Sequence, residues 1–216
     1  MFHVKHNIEV IDVPHKILSE ARDLYQADEK VYEMYIDLLL EWNEKINMVS
    51  RNVSRETVRE HIVHSLLPVP LKLLAGYSRW IDTGSGGGLP GIPIAINQPE
   101  LFISLNDNIK KKMMVVDDII ETMNLTNTET IDYSISLVEL KRGNGILSKH
   151  AFKIEKLIHL LSDKPWEIIV MWKGVNDAIE EIKQYKKKLD STIYSFNFGE
   201  NEPFYEGKGL VLIERS

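Results

Sequence analysis

The residues best suited to chemistry lie in one run, Trp80-Ile81-Asp82-Thr83-Gly84-Ser85-Gly86-Gly87-Gly88-Leu89-Pro90-Gly91. A short apolar strand ends in an acid, a glycine loop follows, and Pro90 opens a helix. Glycines let the backbone turn sharply and approach a ligand with no Cβ in between. The helix start offers unpaired N–H groups to an electron-rich partner, and Pro90 lacks only an N–H that a first turn does not use. The chemistry is therefore the binding of a nucleotide-type cofactor. A phosphate-cradling loop would end in Gly-Lys-Ser or Gly-Lys-Thr, and that ending is absent.

Three readings remain. A dinucleotide fingerprint fits as Gly86-x-Gly88-x-x-Gly91 with Asp107 behind it. Its first glycine falls late, leaving Asp82 outside the pattern. A merely structural glycine turn is the second. The third is Asp82-x-Gly84-x-Gly86-x-Gly88, the loop of enzymes that bind S-adenosylmethionine (SAM), whose ammonium gives a reason for the acid. SAM is the favoured cofactor, with Asp82, Gly84, Ser85, Gly86 and Gly88 as candidate contacts.

A second candidate cluster, Asn106-Asp107-Asn108, ends the next strand. Ligands of open parallel sheets bind at the carboxyl ends of strands near the switch in strand order. Asp107 is placed there to accept both ribose hydroxyl protons of an adenosine, or to cap the following helix. Asn108 is a weaker contact, and Asn106 and Asn108 also suit turns. Two histidines, His64 and His150, are candidate general bases for an acceptor that must lose a proton. The spacing of His61 and His64 suits a metal, but without companion ligands no metal is expected.

The elements that must position these groups follow from periodicity. From about Pro14 to Leu74 apolar residues recur at three- and four-residue spacing, as in Tyr32, Tyr35, Leu39 and Trp42, which predicts helices. Ser54 is a natural cap for a helix over residues 54–67. From Asp82 onward strand-like runs (80–83, 101–105, 128–133, 145–148, 167–172) alternate with helical ones (90–97, 109–123, 153–161). That alternation predicts right-handed βαβ units: an α/β, Rossmann-like, mostly parallel sheet. The runs 192–198 and 209–214 should close one edge as an antiparallel pair. Residues 1–74 are expected to form a helical extension and 75–216 the SAM-binding core, together one compact unit. With 216 residues, 44% hydrophobic and 27% charged, the chain can bury one sizeable core. The absence of cysteine excludes disulfides and thiolate catalysis. No apolar run spans a bilayer and the N-terminus lacks a signal-peptide core, so a cytoplasmic protein without membrane contact is expected. A net charge of −6 limits any nucleic-acid contact to a local patch.

Taken together, Leu40-Glu-Trp42-Asn43-Glu-Lys45-Ile46-Asn47, His61-Ile-Val-His64-Ser65-Leu66, the glycine loop, Leu105-Asn-Asp107-Asn108-Ile-Lys110-Lys111 and Trp172-Lys173-Gly174 resemble the RsmG (GidB) family. These are bacterial methyltransferases of small-subunit ribosomal RNA acting on guanine N7. The matching pieces run in the family's order and cover most of the chain. The resemblance implies SAM contacts at Gly84, Leu89 and Asp107, and adenine contacts aligned with Ile135 and Ser136. It also implies an rRNA or small-subunit partner. Departures are visible. His64-Ser65-Leu66 stands for Asp-Ser-Leu, and Asn108 follows Asp107 where a serine is usual. Ser134-Ile135-Ser136 replaces Arg-Ala-Glu. Ser148-Lys149-His150-Ala151 carries one residue more than Ser-Arg-Ala.

Lys149 or His150 takes the arginine's place. His150 is counted among the cofactor contacts, and His64, Lys149 and His150 are the catalytic candidates. Guanine N7 already holds a free lone pair, so its methylation calls for positioning more than for a base. Lys45, Arg51, Lys110 and Lys111, with Arg55 and Arg59, are candidate phosphate contacts. A small-molecule or peptide acceptor is the alternative, and a non-catalytic SAM- or RNA-binding protein is a third.

Overall fold

A computed structural model describes residues 6–161 and 164–215. Eight strands form one sheet: β1 (Asn7–Asp12), β2 (Arg79–Thr83), β3 (Phe102–Asn106), β4 (Thr128–Ile131), β5 (Asn144–Lys149), β6 (Ile168–Gly174), β7 (Asp190–Ser195) and β8 (Lys208–Glu214). Their order is β1-β7-β8-β6-β5-β2-β3-β4. All neighbours are parallel except β8, which runs antiparallel to both β6 and β7. The predicted antiparallel pair is present, but β7 is not the edge. β1 pairs with it in parallel and is a strand that a purely helical N-terminal extension did not contain. In its sequence Asn-Ile-Glu-Val-Ile-Asp only Ile8 is half-buried and the other five residues are exposed, so it carries little of the burial signal that marks a strand.

Seven helices cover the sheet: α1 (His15–Ala27), α2 (Glu29–Lys45), α3 (Arg55–Leu66), α4 (Gly91–Asn97), α5 (Lys110–Met123), α6 (Ile154–Leu160) and α7 (Val175–Gln184). Ser54 caps α3 as expected, its Oγ accepting the N–H of Thr57 at 3.1 Å. Such a cap contributes about 1 kcal/mol. Helix α7 stops at Gln184, so Lys186, Lys187 and Lys188 lie beyond it.

Strand β6 shows why the sheet reads as apolar runs rather than as alternation. Ile168, Val170 and Trp172 enter the core under α1–α5, while Ile169 and Met171 enter the core under α6 and α7. Successive strand residues face opposite sides, and both sides are covered, so neither parity is polar. The first of these cores joins the N-terminal helices to the sheet through Tyr32, Tyr35, Leu39, Ile62 and Leu66, all with no exposed surface. No helix among the described residues is long and apolar enough to cross a membrane.

Candidate active site

Strands β5, β2 and β3 are parallel neighbours, so their carboxyl ends open on one edge of the sheet. Asp82, near the end of β2, is fully buried. Its Oδ2 accepts the N–H of Gly91 at 2.8 Å, and its Oδ1 meets no donor among the described residues. Burial pushes the carboxyl up to about 7, against the opposing pull of the Gly91 bond. The acid thus ties β2 to the first turn of α4 and presents no charge at the surface. A Cβ on Gly91 would overlap the Leu105 side chain and come within 2.9 Å of Asp82 Oδ2, which is why the tie needs glycine.

Gly84, at φ +73°, marks the closest approach of two loops. A Cβ there would overlap Ala151 Cβ and sit 3.1 Å from the Phe152 ring. The strand ends are stitched across the sheet. Ser148 Oγ donates to the Thr83 carbonyl at 3.1 Å, and Thr83 Oγ1 donates to Asn106 Oδ1 at 2.9 Å. Asn106 also donates to the carbonyls of Ile131 and Tyr133; it is a brace between strand ends. The Asp107 carboxylate joins two segments. Its Oδ1 accepts from Ile109 N at 2.9 Å, in the turn ahead of α5, and its Oδ2 accepts from Gly86 N at 3.2 Å, tying that turn to the glycine loop. A carboxylate has about four lone-pair positions, so acceptor capacity remains for two hydroxyls.

The residues present fit SAM. The loop brings Gly84, Gly86 and Leu89 partly to the surface while burying Ser85 and Gly88. Ser85 Oγ is buried without a hydrogen-bond partner among the described residues. Asn108 is exposed beside Asp107. Of the two adenine positions, Ser136 is exposed and Ile135 packs into the core under α6 and α7.

What sequence reasoning missed is how the N-terminal helices hold the loop. Tyr35 Oη donates to the Gly87 carbonyl at 2.8 Å and Tyr32 Oη to the Pro93 carbonyl at 3.2 Å. Asn43 Oδ1 accepts from Met48 N and Val49 N at 2.8 and 3.0 Å. That turn lays Met48 against Gly87. The available signal was polar: two tyrosines three apart on an apolar helical face, with an asparagine just over two turns further on. Trp42 is half-buried and donates to Asp118 on α5 at 2.9 Å, which makes it an anchor.

On the β5 side, Lys149 and His150 part company. Lys149 Nζ turns toward α3, donating to the His61 carbonyl at 2.8 Å and to Ser65 Oγ at 3.0 Å. Burial pulls its ammonium down to about 7. His150 is exposed at φ +54° and keeps its N–H on the Trp172 carbonyl at 3.2 Å. That left-handed conformation costs a non-glycine roughly 1–2 kcal/mol. His64 is fully buried and its ring lies 6.3 Å from that of His150. Burial holds it well below the ordinary imidazole range.

The basic candidates also divide. Arg55 pairs with Glu33 at 2.7 Å and Asp37 at 2.6 Å, and Arg59 with Glu33 at 2.7 Å, so both serve the packing of α2 on α3 and are corrected from phosphate contacts to internal ion pairs. Lys45 pairs with Glu41 at 2.8 Å and lies over the Trp42 ring, and Lys110 is 3.7 Å from Asp132. Arg51 Nε donates to Asn47 Oδ1, and Lys111 is exposed on α5. No group of three or more metal-ligating side chains occurs among the described residues.

Comparison with known proteins places this arrangement. The fold is similar to that of an O-methyltransferase from Bacillus cereus solved in complex with S-adenosylhomocysteine (SAH), with TM-score 0.54, 14% identity, and 90% of this chain and 100% of that one covered. A methyltransferase from Geobacter sulfurreducens gives TM-score 0.54 at 11% identity, covering 84% of this chain and 87% of that one. In sequence, the chain is 42% identical to a "Ribosomal RNA small subunit methyltransferase G" of Christiangramia forsetii, covering 86% of this chain and 87% of the relative. It is 29% identical to the protein of that name from Chlorobium limicola, covering 98% and 100%. The family model described as "rRNA small subunit methyltransferase G" matches residues 28–199, from α2 through the β7–β8 connection. The glycine loop, its acid and the helices that brace it all fall inside that span, and the chain is a SAM-dependent methyltransferase belonging to the GidB family.

Proposed function

We propose that this enzyme methylates N7 of a guanosine in small-subunit rRNA, in the cytoplasm. The observation that carries the reading is the cradle at the carboxyl ends of β2, β3 and β5, braced by N-terminal helices that lie within the family match. Bound SAM supplies an activated methyl group, whose transfer to the N7 lone pair moves the positive charge onto the base and leaves a neutral thioether. The chain's own residues do the positioning. The loop surface at Gly84, Gly86 and Leu89 takes the methionine portion. Asp107 takes the ribose hydroxyls, and Ser136 with the Ile135 backbone borders the adenine. No residue need remove a proton, in keeping with buried, neutral His64 and with a Lys149 ammonium spent on α3. Orientation alone supplies up to about 7–11 kcal/mol in favourable cases. Lys111 and Arg51 are the phosphate contacts with no acidic partner among the described residues. The test is methyl transfer from labelled SAM to small subunits that lack the modification, followed by mapping of the methylated base. Tight SAH binding without transfer to those subunits refutes the rRNA acceptor.

A further inference from the structure

A chain with net charge −6 needs a local positive surface to hold a polyanion. Lys45, Arg55, Arg59 and Lys110 add little to one, because carboxylates engage them. A second set of cations lies on the side of the sheet covered by α6 and α7. A groove of about 700 Å³ runs between α6 and the segment that joins α7 to β7. Lys153, Lys156, Lys186, Lys187, Lys188 and Arg215 line it, and Glu155 and Glu214 are the only carboxylates among its described lining residues. All six cations are exposed. Lys188 pairs with Asp190 at 3.3 Å, and the other five have no carboxylate partner among the described residues. Lys186 and Lys187 lie in a bend after α7, where neither helix nor strand packing calls for a lysine. The floor is apolar, made by buried Trp166 and Leu189. Arg215 lies over the Trp166 ring, 5.5 Å from its centroid.

The groove has a direction. Lys153 stands at the start of α6, two residues after the Ala151 that abuts Gly84 of the cofactor loop. Lys186 and Lys187 precede β7 and Arg215 follows β8, at the opposite ends of the parallel strands. Cations therefore extend along α6 from the cofactor side of the sheet to its far side. We propose that this groove is a second RNA-binding surface, which holds the phosphodiester backbone of an rRNA segment away from the methylated base. The inference rests on the rRNA reading above. Lysine ammoniums are point charges on flexible stems, suited to following a backbone without reading its bases. Trp166 is buried in the floor, so it cannot insert into a bilayer as an interfacial membrane anchor does. Counterions released by these lysines would give an acidic enzyme an affinity that Arg51 and Lys111 alone do not supply.

Charge reversal tests it. Lys186→Glu/Lys187→Glu changes two exposed side chains outside every helix and strand, so melting temperature and SAH affinity should hold. Binding of unmodified small subunits in the presence of SAH should weaken about tenfold or more, and its log–log salt slope should shrink by about 1.4–1.8, the worth of two phosphate contacts. KM for the subunits should rise while kcat at saturation stays within about twofold, because the groove adds binding and no chemistry. Lys16→Glu/Lys30→Glu makes the same change in net charge on exposed positions of α1 and α2 and should leave affinity and slope near wild type. Acetylation footprinting of the wild-type protein needs no substitution. Bound subunits should protect Lys153, Lys156, Lys186 and Lys187 but not Lys16 or Lys30. Unchanged binding and slope in Lys186→Glu/Lys187→Glu, or an equal loss in the control pair, overturns the proposal. So does binding to phosphatidylserine vesicles through these lysines without protection by subunits. If the wild-type protein transfers no methyl group to the subunits, the rRNA reading falls, and this inference with it.

Discussion

The contact between Gly84 and Ala151 is the sharpest test of how the cofactor loop is built. Gly84→Ala introduces two costs. The backbone sits at φ +73°, where a Cβ costs roughly 1–2 kcal/mol. The new Cβ would also overlap Ala151 Cβ and press on Phe152 at 3.1 Å, and overpacking of this kind typically costs about 1–3 kcal/mol. The expected total is about 2–5 kcal/mol, divided between lower stability and weaker SAH binding as the loops are forced apart. Ala151→Gly in the same chain removes the overlapping methyl and should return the steric part, leaving the backbone term. The pair should therefore be coupled by about 1–3 kcal/mol in a double-mutant cycle, read by SAH calorimetry and by thermal unfolding. Gly86→Ala is the control. Its φ is +55°, yet a Cβ would have Met48 O no closer than 3.8 Å, so only the backbone term applies and Ala151→Gly should not rescue it. If Gly84→Ala/Ala151→Gly behaves no better than Gly84→Ala, the interloop contact is not what demands glycine and the steric argument fails.

Asp107→Ala should weaken SAH binding by about 1.5–3 kcal/mol, the value of hydrogen bonds to a charged group; Asp107→Asn should keep the bond to Ile109 N and lose less, and wild-type calorimetry for Asp107→Ala would leave that residue with a structural role alone. Lys149 is pulled down by burial to about 7, so between there and the ordinary lysine range the unfolded chain holds a proton that the folded chain lacks, and stability should rise with pH. Urea unfolding between pH 8 and 10 should show that rise in the wild type and a flatter profile in Lys149→Met, whose lost bonds to His61 and Ser65 lower the whole curve; an unchanged slope contradicts the assignment. Lys111→Ala should reduce the salt dependence of small-subunit binding by roughly one phosphate contact, a slope change of about 0.7–0.9, whereas Arg59→Ala should leave that slope alone and lower the melting temperature by releasing Glu33.

Most of the fold was legible because its signals are local. Apolar runs bounded by turns located seven strands, and the spacing of Tyr32, Tyr35 and Leu39 located a helix, since each pattern follows from a backbone period that any buried face must obey. The Asp-x-Gly-x-Gly-x-Gly spacing favoured the cofactor, the downstream residues strengthened that choice, and the order of the matching motifs was enough to choose the family, because all of these are properties of the chain's covalent order. What tertiary structure decided are pairings between residues far apart in that order. β1 buries only part of Ile8 and becomes a strand because β7 offers it a ladder. Arg55 and Arg59 look like phosphate contacts in a list of charges, and Glu33, more than twenty residues earlier, makes them internal pairs. Asp82 reads as an acid for an ammonium, but a fully buried carboxylate must find a backbone donor, and it finds Gly91. Lys149 and His150 were indistinguishable as substitutes for one arginine. Lys149 turns to α3, where it bonds His61 O and Ser65 Oγ, while the next residue, His150, takes a left-handed conformation and stays exposed. A one-residue change in register alters every direction downstream of it, and no count of residue types records which way the chain turns.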